Sequence, residues 1–451
     1  MAATSMIVDH RNTGAAFRRL SIPLAVAQLG DQLLGIVDTI AIGTLGTVAL
    51  AGVTGASAIF IAIIFTISGF WSGQGIIAAQ RIGAHDVEGF AKTVRAGFAI
   101  PFLCALICAL LSLVLAGPAI HLLVHDLPSA HASGKYLTLR CFSLIPIAIS
   151  GSLITGLGSA GNRKLGIVVL VVINVVHIPL LFILALGFLT HHPYGIVGAG
   201  MSSLLSETIG MLWAVGYVAR RPIYRVFSSL SIDWRLALDC ARLGLPECVF
   251  LLAVVLPDVF IIGMLAPFGA ASIAAFRALN VVSDLTFVVP SPLQAATQTV
   301  IGQRLGARDV DGARDFFARA RRFSFALTAL TGVVAALFAW PLAYIFTLNA
   351  AVASVAAFPL AVHMATLPIK GWAMVSMAPI RASGDTRFSM VVGLVTGLLV
   401  LPIAYACITI LHIGLWGVPI AWILAWAARA LLTAVKLRDE SWTRRALIAV
   451  S

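Results

Sequence analysis

The sequence predicts an all-α polytopic membrane protein, with about twelve transmembrane helices in two pseudo-symmetric six-helix bundles. Three observations carry this reading: the composition, an internal repeat and the placement of the basic residues. Of 451 residues, 60% are hydrophobic and only 11% charged. A soluble chain of that length could not keep so much apolar surface from water. Apolar runs near the ~20 residues needed to cross a bilayer fall at roughly 20–43, 49–79, 92–117, 132–157, 165–189, 194–219, 237–266, 270–302, 318–347, 351–378, 388–411 and 413–435.

Shifting the chain by 223 residues superposes its marks without a gap. Leu20 and Pro23 fall on Leu243 and Pro246, and Gly46 falls on Gly269. Gln80-Arg81-Ile82-Gly83-Ala84 falls on Gln303-Arg304-Leu305-Gly306-Ala307, Asp86-Val87 on Asp309-Val310, and Gly161 on Gly384. Each half holds six spans, an even number, so the halves are parallel repeats. The expected domains are an N-terminal bundle over 1–219, a polar, basic cytoplasmic linker over 220–235, and a C-terminal bundle over 236–451.

Taken in order, the first 19 residues are polar, with Arg11, Arg18 and Arg19. They show no apolar core ending in a small-residue cleavage site, so the first helix is expected to serve as its own insertion signal. That helix lies in Leu20–Gly46 and carries Asp31, Asp38 and Pro23. The two carboxylates stand two helical turns apart on nearly one face, which lipid will not accept. Pro23 and its counterpart Pro246 are expected to let their helices bend. The loops Arg81–Arg95 and Arg304–Arg322 mix acids and bases, as gates or as solvated turns.

With the N-terminus inside, all but five of the 30 Lys and Arg fall in cytoplasmic segments or at their edges; the five are Lys135, Arg140, Arg277, Lys370 and Arg429. The external connections Thr44–Val48, Ala266–Ala270 and His191–Tyr194 carry none. This positive-inside bias puts both termini in the cytoplasm and makes the net charge of +12 a matter of topology, with no nucleic-acid partner expected. The six cysteines lie in or beside apolar spans without metal-ligand spacing, so apolar packing is expected and no metal.

Ionisable groups inside spans are costly and commonly functional. Asp38 is the leading coupling site, Asp31 a relay or second cation ligand, and His177 a titratable neighbour. In the C-terminal half Asp258, Asp284, Arg277 and Lys370 form an expected charged network, with Lys370 paired to Asp258 or Asp284. Glu207 and Glu247 are expected near the cytoplasmic interface without a special role.

The stretch LSIPLAVAQLGDQLLGIVDTIAIGTLGTVALAG resembles the first-helix signature of the multidrug and toxic compound extrusion (MATE) family. So do QRIGAHD and its copy QRLGARD, the turns Gly161-Asn162-Arg163 and Gly384-Asp385-Thr386-Arg387, and Gly195-Ile196-Val197-Gly198-Ala199. The resemblance implies two bundles that open alternately as a V, and export of bulky, often cationic amphiphiles in exchange for protons or sodium. It implies a proton or cation site at Asp38, with Asn174 and Ser203 at the places of the family's helix-five Asn and helix-six hydroxyl. Many relatives carry a second helix-five acid where this chain has Ile178, and the NorM-type acids of helices seven and ten are replaced by Val254 and Lys370. The chain therefore leans to the DinF-like bacterial branch, coupling in its N-terminal half.

The expected activity is cation-coupled antiport, with the proton favoured and sodium at Asp38 the other choice, and with no cofactor. The alternative is a lipid-linked precursor flippase, which would want a strongly basic cavity. An enzyme is not expected: there is no HExxH motif, and Asp31 and Asp38 lie ~10 Å apart along one helix, too far to share a proton directly. The expected partners are a small amphiphilic substrate and membrane lipid. The chain is expected to be a monomer in a bacterial inner membrane.

Overall fold

The computed structural model describes residues 7–9, 12–123, 130–189, 193–229 and 231–444. His191 and His192 of the expected external loop lie outside them. Among the described residues every regular element is helical: α1 (Thr13–Gly43), α2 (Thr47–Gly83), α3 (Val87–Gly97), α4 (Ala99–Leu123), α5 (Ala130–Ser159), α6 (Lys164–Leu180), α7 (Gly195–Ala219) and α8 (Trp234–Leu265). The order continues with α9 (Ala270–Thr286), α10 (Pro290–Gly306), α11 (Val310–Leu337), α12 (Ala339–Thr347), α13 (Ala350–Met364), α14 (Leu367–Ala382), α15 (Thr386–Tyr405), α16 (Gly417–Arg438) and α17 (Ser441–Arg444). A backbone in lipid must satisfy its own hydrogen bonds, and helices do so within one segment.

Among the described residues ten spans are long and apolar enough to cross a membrane, or eleven if α13 and α14, bent by 41°, count as one. The twelfth expected span, 237–266, falls on the 32-residue α8. Four expected single spans are divided between two α-helices: 92–117 between α3 and α4, 270–302 between α9 and α10, 318–347 between α11 and α12, and 351–378 between α13 and α14. Pro290 stands at the start of α10 and Pro368 at the start of α14, where proline's missing N–H is harmless at a helix opening but breaks a continuing ladder.

The chain forms two compact units. Unit 1 is Met1–Ile7 with Val26–Cys248; unit 2 is Val8–Ala25 with Val249–Ser451. Each unit contains the opening turns of the other half's first helix, and the cuts at Ala25 and Cys248 are themselves 223 residues apart. In unit 1 the opening of α8 meets α2 backbone to backbone. A Cβ added at Gly73 would lie 2.1 Å from the Cys240 carbonyl oxygen, and one at Gly69 2.5 Å from the Cys248 nitrogen. Small residues permit such close approach between membrane helices. In unit 2 the Ser21 hydroxyl donates to the Pro292 carbonyl at 3.2 Å, and Phe17 stacks on Phe323 with centroids 5.1 Å apart. Leu20 is fully buried there among Leu293, Ala296 and Val300.

Segment 220–235, the expected linker, is tied into unit 1. Arg95 Nη1 donates to the Val226 carbonyl at 2.9 Å, and the Asn162 amide donates to the Tyr224 hydroxyl at 2.9 Å. Both repeats use one device to turn from their second span. Asp86 caps α3 by accepting from Gly89 N at 2.7 Å and holds Arg81 at 2.5 Å. Asp309 caps α11 by accepting from Gly312 N at 2.9 Å, with Arg304 at 3.3 Å. In each loop one aspartate is thus a helix cap and the preceding arginine its counter-ion.

Proline also marks a shared bend. Pro179 in α6 is followed by a π turn over Leu181–Ala185, and Pro402 in α15 by another over Ala406–Ile410. Proline removes one helical hydrogen bond, and the wider turn accommodates the carbonyl it leaves. All six cysteines are free thiols.

Candidate functional site

In unit 1 the sequence sets polar groups on three apolar helices, and the fold brings some of them together. Asp38, late in α1, meets His177, late in α6: His177 Nε2 lies 2.7 Å from Asp38 Oδ1. The imidazole side chain is 3% exposed and the carboxylate 30%, so access to the pair runs past Asp38. The other ring nitrogen, Nδ1, faces the Ser206 hydroxyl of α7 at 3.3 Å, and that hydroxyl also reaches the Ser203 carbonyl at 3.0 Å. A carboxylate, an imidazole and a hydroxyl from three spans thus form one hydrogen-bonded chain.

The chain accommodates two protonation states without moving a heavy atom. With a neutral ring, Nε2–H donates to Asp38, and the Ser206 hydroxyl donates to Nδ1. With an imidazolium, Nδ1–H donates to Ser206, whose hydroxyl then turns to the Ser203 carbonyl. Both Asp38 and His177 keep partners in either case, which a buried polar group requires.

The remaining expected residues divide. Ser203 gives the site its carbonyl; its own hydroxyl returns to Ala199 O at 3.1 Å. Asn174 stands one turn before His177 and lies by Gly30, where an added Cβ would be 3.8 Å from its amide nitrogen. It is on the Asp31 side of the site. Asp31 is exposed. Glu207, expected to be unremarkable, follows Ser206 and has Arg140, Asp31 and His177 as its charged neighbours. Arg140 lies over the Phe60 ring, 3.9 Å from its centroid. The signal for Ser206 and Glu207 was their spacing of three and four residues from Ser203, which puts them on its face of the helix.

Pro23 lies in the part of α1 that belongs to unit 2, and Pro246 in the part of α8 that belongs to unit 1. In unit 2 the expected ion pair gives way to a different contact. The Lys370 ammonium rests on the Phe287 ring, 3.2 Å from its centroid, and also faces Trp426 at 5.6 Å. Asp284 and Asp258 are electrostatic neighbours of Lys370, but neither pairs with it. Asp284 and Arg277 are exposed. Asp258 is faced by the Asn280 amide, while its Oδ1 is buried without a hydrogen-bond partner. A cation unable to reach a carboxylate still gains from an aromatic face, and more so when desolvated.

Comparison with known proteins follows the same twofold division. The family model described as MatE matches residues 23–183 and again 246–406. The chain is 27% identical over 342 residues to the "Probable multidrug resistance protein NorM" of Aromatoleum aromaticum, covering 74% of this chain and 73% of that protein. It is 28% identical over 401 residues to the "Multidrug resistance protein NorM" of Burkholderia vietnamiensis, covering 82% of each. Its fold matches the outward-facing structure of a multidrug resistance MATE family transporter of the MOP superfamily, with a TM-score of 0.88 at 21% identity over 99% of both chains.

Proposed function

The chain belongs to the MatE family, and from that premise we propose that it is a proton-coupled antiporter that exports amphiphilic, often cationic compounds from a bacterial cell. It is a multi-pass membrane transporter and not an enzyme, as the family match and the helical spans imply. The inner membrane, with both termini cytoplasmic, is the location that fits its positive-inside charge. The observation that carries the proton reading is the 2.7 Å contact between His177 and Asp38. A hard metal cation takes several oxygen ligands. Here an imidazole nitrogen already occupies one carboxylate oxygen, an arrangement suited to a proton.

Protonation that favours one conformation and substrate that favours another compete through a single equilibrium, which is the thermodynamic content of antiport. Asp38, the more accessible partner, exchanges the proton with water, and His177 with Ser206 holds it between exchanges.

The test is dye uptake into proteoliposomes holding the full chain, driven by a proton gradient alone or a sodium gradient alone. Uptake is expected with protons and is expected to be lost in Asp38→Asn. Uptake driven only by sodium would overturn the coupling ion while keeping the exporter. No uptake with either ion, across cationic and neutral compounds, would favour a lipid-linked precursor flippase.

A further inference from the structure

The described part of unit 2 holds a column of alternating cations and aromatic rings that proton coupling in unit 1 does not use. Starting at the end of α14, Arg381 lies over Phe250, with its guanidinium carbon 5.8 Å from the ring centroid. Arg429 of α16 also faces Phe250, at 5.3 Å, and Trp426 at 4.5 Å. Lys370 faces Trp426 at 5.6 Å and Phe287 at 3.2 Å. Arg381 and Lys370 are eleven residues apart on α14, about 16 Å by helical rise. The column thus carries positive charge well into the interior of the unit.

The two ends of the column differ in how that charge is balanced. Lys370 has Asp284, Arg429 and Asp258 as electrostatic neighbours, while Arg429 has Arg381 and Lys370, both like charges. Arg429 Nε donates to Thr396 Oγ1 at 3.0 Å and Nη2 to the Gly393 carbonyl at 3.5 Å, both neutral acceptors. Lys370 is 2% exposed and its ammonium rests on a ring. An ammonium carries three donors, and cations in a low-dielectric interior call for an anionic partner. Aromatic faces between the cations suit an apolar body attached to that anion.

We infer that unit 2 binds the oxyanion group of an amphiphile, a carboxylate or a phosphate on an apolar body, between Lys370 and Arg429 beside Trp426. The inference concerns ligand chemistry and stands apart from which ion drives transport. Asp284 and Asp258 limit how much negative charge the Lys370 end accepts, which favours a single oxyanion over a diphosphate.

The experiment is a binding titration on the purified full chain in nonionic detergent, with no ion gradient. The probes are dansylglycine, which carries a carboxylate, and its primary amide, of the same body without the charge; dansyl fluorescence is the readout. The wild-type chain is expected to bind the carboxylate about tenfold more tightly than the amide. Lys370→Met and Arg429→Met are each expected to remove most of that preference, and Lys370→Arg is expected to keep it. Competition by dihexanoylphosphatidylglycerol would assign the natural oxyanion to a lipid, and its absence to a soluble compound.

Equal affinity for the two probes in the wild-type chain would overturn the inference, as would an undiminished preference in both Met variants. The wild-type comparison needs no variant, so a Lys370→Met chain that does not fold cannot shelter the idea. A failure of proton-driven uptake, measured separately, would leave this result intact.

Discussion

At the scale of residues, the candidate site pairs an imidazole and a carboxylate from two helices: His177 reaches Asp38 across 139 residues of sequence. Asp38 was legible from sequence because a carboxylate in an apolar span is costly and must face protein. The contact was not legible, because periodicity orients a residue on its own helix but says nothing of the rotation of its neighbour. Ser206 was missed for the same reason: hydroxyls are common in spans, and only the fold shows which one meets the ring. His177→Gln keeps a hydrogen-bonding side chain but cannot carry a proton. The initial rate of proton-driven uptake is expected to fall by tenfold or more, the scale of losing a hydrogen bond to a charged group. The dependence of rate on internal pH is expected to flatten. A variant with the wild-type pH profile would remove His177 from the proton path.

At the scale of elements, the duplicated motif after the second span of each half is a capping device, and its glycine is part of it. A Cβ added at Gly312 would lie 2.2 Å from Asp309 Oδ2, and one at Gly89 2.0 Å from Asp86 Oδ2. The aspartate folds back over the third residue of the helix, and only glycine leaves it room. Asp309→Ala removes the cap, at a cost of about 1 kcal/mol. Gly312→Ala forces the same carboxylate away and is expected to cost a similar amount. Because the two changes break one interaction, the double variant is expected to be little worse than either alone. Thermal unfolding of the detergent-solubilised chain measures this, and fully additive losses would mean the residues act independently. The sequence pattern announced that something recurs here, but a mixed-charge loop reads equally as gate or turn until the hydrogen bonds are seen. The breaks before Pro290 and Pro368 were open to reading from the prolines themselves. The hydropathy of 270–302 and 351–378 is continuous enough for one span each, so the prolines alone mark the breaks.

At the scale of the whole molecule, the repeat was plain in the sequence while the composition of the units was not. A 223-residue offset finds equivalent positions, but it does not say with which half a helix packs. The opening of α1 lies in unit 2 and the opening of α8 in unit 1, so the covalent halves and the compact units are different divisions of the chain. This has a consequence for a chain cut at Arg220–Arg225, between α7 and α8. The N-terminal fragment would still place Phe17 and Leu20 in the core of unit 2. The C-terminal fragment would still place Ala237 beside Ala96 and Ala99 in unit 1, and Cys248 and Cys240 against the Gly69 and Gly73 backbone. In lipid, which is as apolar as these side chains, it is the tight packing of helix on helix that contributes, as dispersion energy. Brief trypsin treatment in mild detergent, followed by size exclusion, is therefore expected to give two bands on a denaturing gel and one peak on the column, at the elution volume of the uncut chain. Two separated peaks would show that the exchanged helix ends do not hold the units' cores together.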